Sequence, residues 1–291
     1  MSPVALVTGA SKGGTGTAIA VRLAAEGHDV AVVARDAAGL AETAARVRRA
    51  GRRCLELVCD LSDPSGGRDR LVAATEDELG PIDVLVNNAA ANGYRPFTEW
   101  TDRQLDIAHQ VNVRAPWRLM ADSVPSMRSR GGGAIVNITS FAAELPPGPP
   151  FPTNAPSLAG SGYGVSKAAL NRLTVSVAAE LYGVGIAVNA LAPQSAIATP
   201  HLVARGDLDP VQLEPLATMA EATLALARSG PAVLTGRILR SLELLVELDR
   251  EVRTLDGSML VEGWQPADLP AVIQRQAELL AARGWPDAFG G

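Results

Sequence analysis

Tyr163 and Lys167 stand four residues apart in Tyr163-Gly164-Val165-Ser166-Lys167, at the head of a stretch that reads as helix through Leu181. Residues at i and i+4 share a helix face, so the phenol and the ammonium can reach one pocket. A phenol with a reference pKa of about 10 exchanges protons poorly near neutrality. A cation held close to it favours the phenolate and brings that value down. Taken alone, the pair reads more readily as a solvated helix face, because Tyr-x-x-x-Lys arises by chance. The elements around it change that balance.

The chain starts with a short continuous apolar run, Val4-Ala5-Leu6-Val7, the pattern of a buried parallel strand. It runs into Thr8-Gly9-Ala10-Ser11-Lys12-Gly13-Gly14-Thr15-Gly16, and then into an Ala/Leu-rich helical pattern from Ala18 to Ala25, stopped by Gly27. Strand, glycine loop and helix together form the context in which backbone N–H groups and a helix N-terminus hold a pyrophosphate. A plain Gly-rich turn is the competing reading, and the flanks disfavour it. The second strand, Val30–Ala34, ends at Arg35. Folds that bind NAD usually place an acidic residue there for the ribose 2′-hydroxyl. Ala34 and Arg35, with Lys12 in the loop, offer two cations to a 2′-phosphate instead, so NADP(H) is expected over NAD(H). The adjacent Asp36 keeps NAD(H) possible.

Three more strands repeat the pattern. Cys54–Cys59 ends in Asp60-Leu61, Val84–Val86 in Asn87-Asn88-Ala89-Ala90, and Gly132–Ile138 in Thr139-Ser140. Each places a polar or small cluster at its C-terminal end, where open parallel sheets bind ligands.

With these pieces in order, the chain resembles a short-chain dehydrogenase/reductase. The matching segments are the Thr8-Gly9 loop, Asp60-Leu61, Asn87-Asn88-Ala89, Val111-Asn112-Val113, Ser140, Tyr163-x-x-x-Lys167 and Val188-Asn189-Ala190-Leu191-Ala192-Pro193. The resemblance covers roughly residues 3 to 260. It implies that Tyr163 is the general acid/base, that Lys167 lowers its pKa and holds the nicotinamide ribose, and that Ser140 hydrogen-bonds the carbonyl or carbinol oxygen. Asn112 would order a water linking Lys167 to solvent. The cofactor would meet Gly9, Ser11, Lys12, Gly13, Gly14, Thr15, Gly16 and Arg35. Asp60 and Leu61 would border the adenine, Asn87 and Ala89 the adenosine side, and Pro193, Ile197 and Thr199 the nicotinamide carboxamide. A hydride would move at the nicotinamide while a proton moves through Tyr163.

Four departures from the family pattern stand out. Gly16 comes one residue later than in Thr-Gly-x-x-x-Gly-x-Gly, implying a loop longer by one. Ala90 and Gln194 each replace a usual glycine, and the Gln194 side chain is expected to crowd or hydrogen-bond the nicotinamide or the substrate. Ser140 and Tyr163 are 23 positions apart. The surplus is a Pro-rich insertion from Glu144 to Ala159, which proline chemistry excludes from helix or central strand. It reads equally as a wall of the substrate pocket and as a surface loop.

Composition narrows the class further. The 291 residues are 47% hydrophobic and carry a net charge of −5, enough for one large α/β core and with no basic stripe for nucleic acid. No apolar run is long enough to span a membrane, and no signal-like segment precedes the first strand. Cys54 and Cys59 lack metal or C-x-x-C spacing and read as buried thiols of a cytoplasmic protein, and no metal is expected. His28 and His109 read as packing or surface residues, while His201, after Thr199-Pro200, is a candidate substrate contact. Near the C-terminus, Ala217–Ala227 reads as helix. Residues 237–248 have helical spacing, which places an inserted helix before a seventh strand at Glu251–Gly257. A last helix is expected from Leu269 to Arg283, ending at Gly284 beside Trp285.

The reading is therefore one Rossmann-like, doubly wound α/β domain over residues 1–291, with about seven parallel strands, helices on both faces and a C-terminal helical extension from about 261. The expected function is NADP(H)-dependent interconversion of a carbonyl and an alcohol on a small or medium organic substrate. Related chemistries on the same fold are the first alternative: epimerisation, dehydration, or C=C or C=N reduction. A non-catalytic nucleotide-binding protein is the second. By resemblance alone, a homo-oligomer, dimer or tetramer, is expected.

Overall fold

The structure is a computed structural model that describes residues 2–145, 148, 160–206 and 213–282. The Pro-rich insertion beyond Leu145, apart from Gly148, lies outside the described residues, as does the end of the chain with Trp285.

Strand β1 (Val4–Thr8) leads into α1 (Thr15–Ala25), β2 (Asp29–Ala34) into α2 (Ala37–Arg49), and β3 (Cys54–Val58) into α3 (Leu71–Leu79). After β4 (Ile82–Asn87) come α4 (Asp102–His109) and α5 (Ala115–Ser129), joined by a π-helical turn at Gln110–Arg114. Strand β5 (Gly133–Ile138) precedes α6 (Ser161–Glu180), and β6 (Ile186–Ala192) precedes α7 (Pro200–Arg205) and α8 (Leu216–Arg228). Strand β7 (Ile238–Arg240) is followed by α9 (Ser241–Glu247) and α10 (Leu269–Ala282). All seven strands pair in parallel in the order β3-β2-β1-β4-β5-β6-β7. The order reverses between β1 and β4, so a crevice opens beyond their C-terminal ends.

The apolar runs become strands because both faces of the sheet are covered. Side chains alternate along β1: Ala5 and Val7 enter one core with α1 and α8, while Val4 and Leu6 enter the other with α5 and α6. The five residues of β1 are all buried. Helix α8 is buried from Ala217 through Leu226, so it is apolar almost all round. Its one buried charge, Glu221, accepts from Arg22 Nε of α1 at 2.6 Å, with side chains only 2% and 4% exposed. A second carboxylate, Glu26, also meets Arg22.

The seventh strand is not where the sequence pattern placed it. Ile238–Arg240 is the strand, pairing with Ala190–Ala192, and α9 follows it directly instead of preceding it. A three-residue strand is too short to show a period, and the apolar spacing of the adjoining helix masked it. Residues 251–257 form instead a loop tightened by Asp256, which accepts from Ser258 N, and by a single antiparallel bridge, Arg253 to Leu260. The expected helices at 217–227 and from Leu269 are present, and Val272 of α10 packs into the core.

Replacing Glu221 with Ala leaves the Arg22 guanidinium buried with only Glu26 to compensate it. Guanidinium denaturation should show a loss of about 3 kcal/mol, the low end for a broken buried pair. A loss below about 1 kcal/mol would mean that water reaches Arg22 and that the α1–α8 contact is looser than the burial indicates.

Candidate active site

Two adjoining clefts lie beyond the C-terminal ends of the strands, one of about 600 Å³ beside β1, β2 and β3 and one of about 620 Å³ beside β5, β6 and α6. Asn88 and Ala90 border both, so they form one continuous groove.

The first cleft is lined by Gly9, Ser11, Lys12, Arg35, Asp36, Asp60, Leu61 and Ala89. Gly9 has φ +69°, and a Cβ there would come within 2.7 Å of Ala89 Cα. Gly16 sits in the first turn of α1, where a Cβ would overlap the Gly9 carbonyl. The loop therefore folds back tightly on β4. The loop turns through consecutive left-handed positions at Lys12 (φ +56°) and Gly13 (φ +65°), and Gly14 caps α1. Thr15 borders the second cleft. Asn88 holds the loop from behind, donating from Nδ2 to the carbonyls of Thr8 at 2.8 Å and Gly9 at 3.2 Å.

The Asn87 side chain, expected on the adenosine side, turns into the sheet, donating to Asn137 Oδ1 at 2.8 Å. Asn88, quoted in the motif but given no role in the sequence reading, borders the groove in its place. Arg35 is mostly exposed and lies 3.6 Å from Asp60. Hydrogen bonds from the Ser62 N–H and hydroxyl, helped by Arg35, hold the Asp60 carboxyl below its usual range despite partial burial. Arg35 and Asp36 both face the cleft, so the sequence ambiguity between them persists in the geometry.

The second cleft gathers Ser140, Tyr163, Lys167, Pro193, Ile197, Thr199 and His201. Ser140 lies two residues past the end of β5, and its Oγ accepts from Ala142 N at 3.2 Å. Lys167 is 1% exposed, and its Nζ donates to Ile138 O, the last residue of β5, at 2.8 Å. Nζ lies 5.9 Å from the centre of the Tyr163 ring. The two are brought together as the i, i+4 spacing implies. Their electrostatics differ from the expectation that Lys167 lowers the phenol pKa. Burial pushes the Tyr163 phenol above its ordinary value, reinforced by Tyr94 and opposed by a hydrogen bond with Ser140. Burial also brings the Lys167 amine down to about 7, so near neutrality it carries only part of the positive charge of an ordinary lysine.

Asn112 sits in the π-helical turn and is fully buried. Its Oδ1 accepts from Ala91 N, and its Nδ2 donates to Ala91 O and Ser166 Oγ, each at 2.9 Å. Ser166 Oγ in turn donates to Tyr163 O at 2.7 Å. The Asn112 side chain thus ties the β4 loop to the first turns of α6. The π-turn is what breaks the helix register here, a feature common at functional sites.

Gln194 does not reach the cleft. Its side chain is 5% exposed and donates to Glu243 Oε1 of α9 at 3.2 Å, so the expected contact with nicotinamide or substrate is corrected. Two residues near the site had no signal of their own. Tyr94 packs edge-on against Tyr163 with ring centres 5.9 Å apart. Glu214 is fully buried, and burial raises its pKa to about 7 against the pull of the Ser241, Thr218, Ser195 and Gln194 donors. In the sequence it was one of several charges in a mixed segment.

The short chain dehydrogenase profile matches residues 3–207. A short chain dehydrogenase of Pseudocercospora fijiensis is 36% identical over 194 residues, covering 66% of this chain and 59% of that protein. Human dehydrogenase/reductase SDR family member 4 is 39% identical over 191 residues, 65% of this chain and 64% of that one. The chain thus spans less than two thirds of the length of either relative. A metagenomic short-chain oxidoreductase solved in complex with NADP is similar in structure, with TM-score 0.67 and 29% identity over 82% of this chain and 96% of that one.

Lys167 supplies a test of the electrostatics. Its native pKa of about 7 lies below the ordinary 10.5. Between those values the unfolded chain binds a proton that the folded chain lacks, so the residue's contribution to stability rises with pH, by at most about 1.4 kcal/mol per unit. Denaturant unfolding of the parent and of Lys167→Met, without cofactor, at roughly pH 7 and pH 9 should show the parent gaining on the variant at the higher pH. An unchanged difference would mean that the amine keeps its ordinary pKa inside the fold. From the profile match and the fold that carries these residues, the chain belongs to the short-chain dehydrogenase/reductase family.

Proposed function

We propose that the protein is an NADP(H)-dependent oxidoreductase that interconverts a carbonyl and an alcohol on a small or medium organic substrate. The observation that carries this reading is the convergence of Ser140, Tyr163 and Lys167 on one cleft that continues into the glycine-loop cleft. The groove suits a dinucleotide: the Gly9 backbone lies where a Cβ would strike Ala89, and α1 starts at the loop's end. Gly9, Ser11, Lys12, Gly13, Gly14, Thr15 and Gly16 would hold the pyrophosphate, Asp60, Leu61 and Ala89 the adenosine, and Pro193, Ile197 and Thr199 the nicotinamide. When bound, the nicotinamide supplies or accepts the hydride.

The protein's part is proton handling and charge stabilisation. Tyr163 gives a proton to, or takes one from, the substrate oxygen, and the Ser140 hydroxyl hydrogen-bonds that oxygen as charge develops on it. Lys167 lies at the inner end of the same pocket and exchanges protons near neutrality, as its lowered pKa allows. The substrate end of the groove is bordered by Tyr94, Phe141 and Leu202 with His201 and Arg205, and the proposed substrate is a weakly polar to apolar molecule. A homo-oligomer belongs to the same proposal, supported by Trp117 of α5 and Val165 of α6, which are 61% and 71% exposed. A cytoplasmic setting is proposed from the unpaired thiols Cys54 and Cys59. Among the described residues, no helix is long and apolar enough to cross a membrane.

Tyr163→Phe keeps the ring and deletes the proton. NADPH affinity should survive while carbonyl turnover, followed as NADPH consumed, falls by about 10²-fold or more. Activity near the parent level would remove Tyr163 from the acid/base role, and product formed without net NADPH change would favour an epimerase or dehydratase.

The cofactor preference has its own test. Arg35 and Lys12 border the cleft where a 2′-phosphate would sit, but the Arg35 side chain is 73% exposed, which weakens its share. The parent should bind NADPH about tenfold more tightly than NADH, and Arg35→Ala should erase most of that gap with NADH affinity nearly unchanged. Equal or better NADH binding by the parent would hand the ribose to Asp36.

A further inference from the structure

The segment from Pro193 to Thr199 leaves β6 and borders the second cleft through Pro193, Ser195, Ala196, Ile197 and Thr199. It contains no regular element, yet it is clamped along its length from the outside. Glu214 runs beside it as a one-residue parallel bridge to Ile197. The Glu214 N–H donates to Ala196 O, and Ala198 N donates to Glu214 O, each at 2.8 Å. The side chain completes the clamp. Oε2 accepts from Ser195 N at 2.9 Å, and Oε1 accepts from Ser241 Oγ at 2.5 Å and from Thr218 Oγ1. Ser241 Oγ also accepts from Gln194 N at 3.0 Å, so Gln194, Ser241 and Glu214 form a chain of donors ending on the carboxylate. The carboxylate thus joins the segment to α8, at whose start it lies, and to the first residue of α9.

A fully buried carboxylate is costly unless donors surround it, and here they come from three separate elements. Two of the donors are main-chain groups of the cleft-bordering segment or are one hydroxyl removed from them. A carboxylate needed only to cap α8 would not require Ser195 or Gln194. No side-chain atom of Glu214 borders the groove, so it acts through the backbone it holds and not on a ligand.

We propose that Glu214 is a positioning residue for the nicotinamide half of the cofactor: its carboxylate fixes Gln194 and Ser195, and through them the backbone of Ala196–Thr199, in the conformation that receives the nicotinamide. This rests on the cofactor reading given above, in which Ile197 and Thr199 meet the carboxamide. The adenosine half lies at the other end of the groove, against Arg35 and Asp60, and is out of reach of the clamp.

The test separates the two halves. The affinity of the cofactor that the parent binds better, NADPH or NADH, is measured by fluorescence titration beside that of its adenosine half alone, 2′,5′-ADP or ADP. Glu214→Gln, which removes one acceptor without changing size, should bind the whole cofactor about tenfold more weakly and the adenosine half as the parent does. Ser241→Ala keeps the carboxylate and deletes one link of the chain. It should show a loss of about threefold with the same split, and it decides the matter if the Gln variant does not fold. Unchanged affinity for both ligands overturns the proposal. An equal loss for both also overturns it, because that marks a general structural role. A parent that binds neither ligand sinks the cofactor reading itself, and the positioning role with it.

Discussion

Everything at the site is organised around a lysine amine that is buried at 1% exposure and answered by one main-chain carbonyl, Ile138 O. An ammonium in such a place pays for desolvation, and its pKa falls to about 7 for that reason alone. The hydrogen bond ties α6 to the end of β5, because Ile138 is the last residue of that strand. Ser140, two positions on, then faces Tyr163, one helical turn before Lys167. The phenol is raised and stays neutral near physiological pH, while the lowered amine is partly protonated there. Each would favour the charged form of the other, and negative charge developing on the phenol draws a proton onto the amine.

The opposite end of the groove is governed by sterics instead of charge. Gly9 and Gly16 let β1, α1 and β4 meet at a separation that no side chain tolerates, and Asn88 fills the remaining donor needs of that junction. Gly39 extends the same logic to α2, where a Cβ would come within 2.9 Å of Ser11 Cβ and 3.0 Å of Lys12 N. The loop thus packs against the start of the helix that follows Arg35. Lys12 and Arg35 are kept near one another by this packing, while their side chains face the same cleft.

The fold was legible because its signals are local and strong. Continuous apolar runs such as Val4–Val7 and Val30–Ala34 mean parallel strands with both faces covered, and the glycine loop marks the first strand-to-helix passage. Tyr163 and Lys167 were legible through their spacing, and Ser140 joined them through the order of the family's segments, despite a spacing of 23 to Tyr163. The fourth residue of that set, Asn112, was singled out by the family motif, but its π-turn has no sequence signature. Strand β7 was lost because three residues carry no period and α9 begins at the next position. The Tyr163 phenol was misjudged because sequence shows that a cation is near but not how deeply it is buried. Gln194 was misjudged for a similar reason: the partner that turns it away, Glu243, lies 49 positions on. Glu214 was invisible because its role depends on donors from Ser195, Thr218 and Ser241, which only the folded chain assembles.

In both of these last cases partners lie far along the chain. The Gln194 side chain, in place of the usual glycine after Pro193, does not line the groove. The C-terminal elements provide the alternative. Helix α9 offers Glu243 to the Gln194 amide, and α10 sends Gln276 Nε2 to the Gln194 carbonyl at 2.7 Å. The turn after β6 is therefore gripped from outside by helices that follow the last strand, where a glycine would have let it pack closely on its own. The grip replaces conformational freedom with specific hydrogen bonds, so the ordering of this wall of the groove is coupled to the docking of α9 and α10.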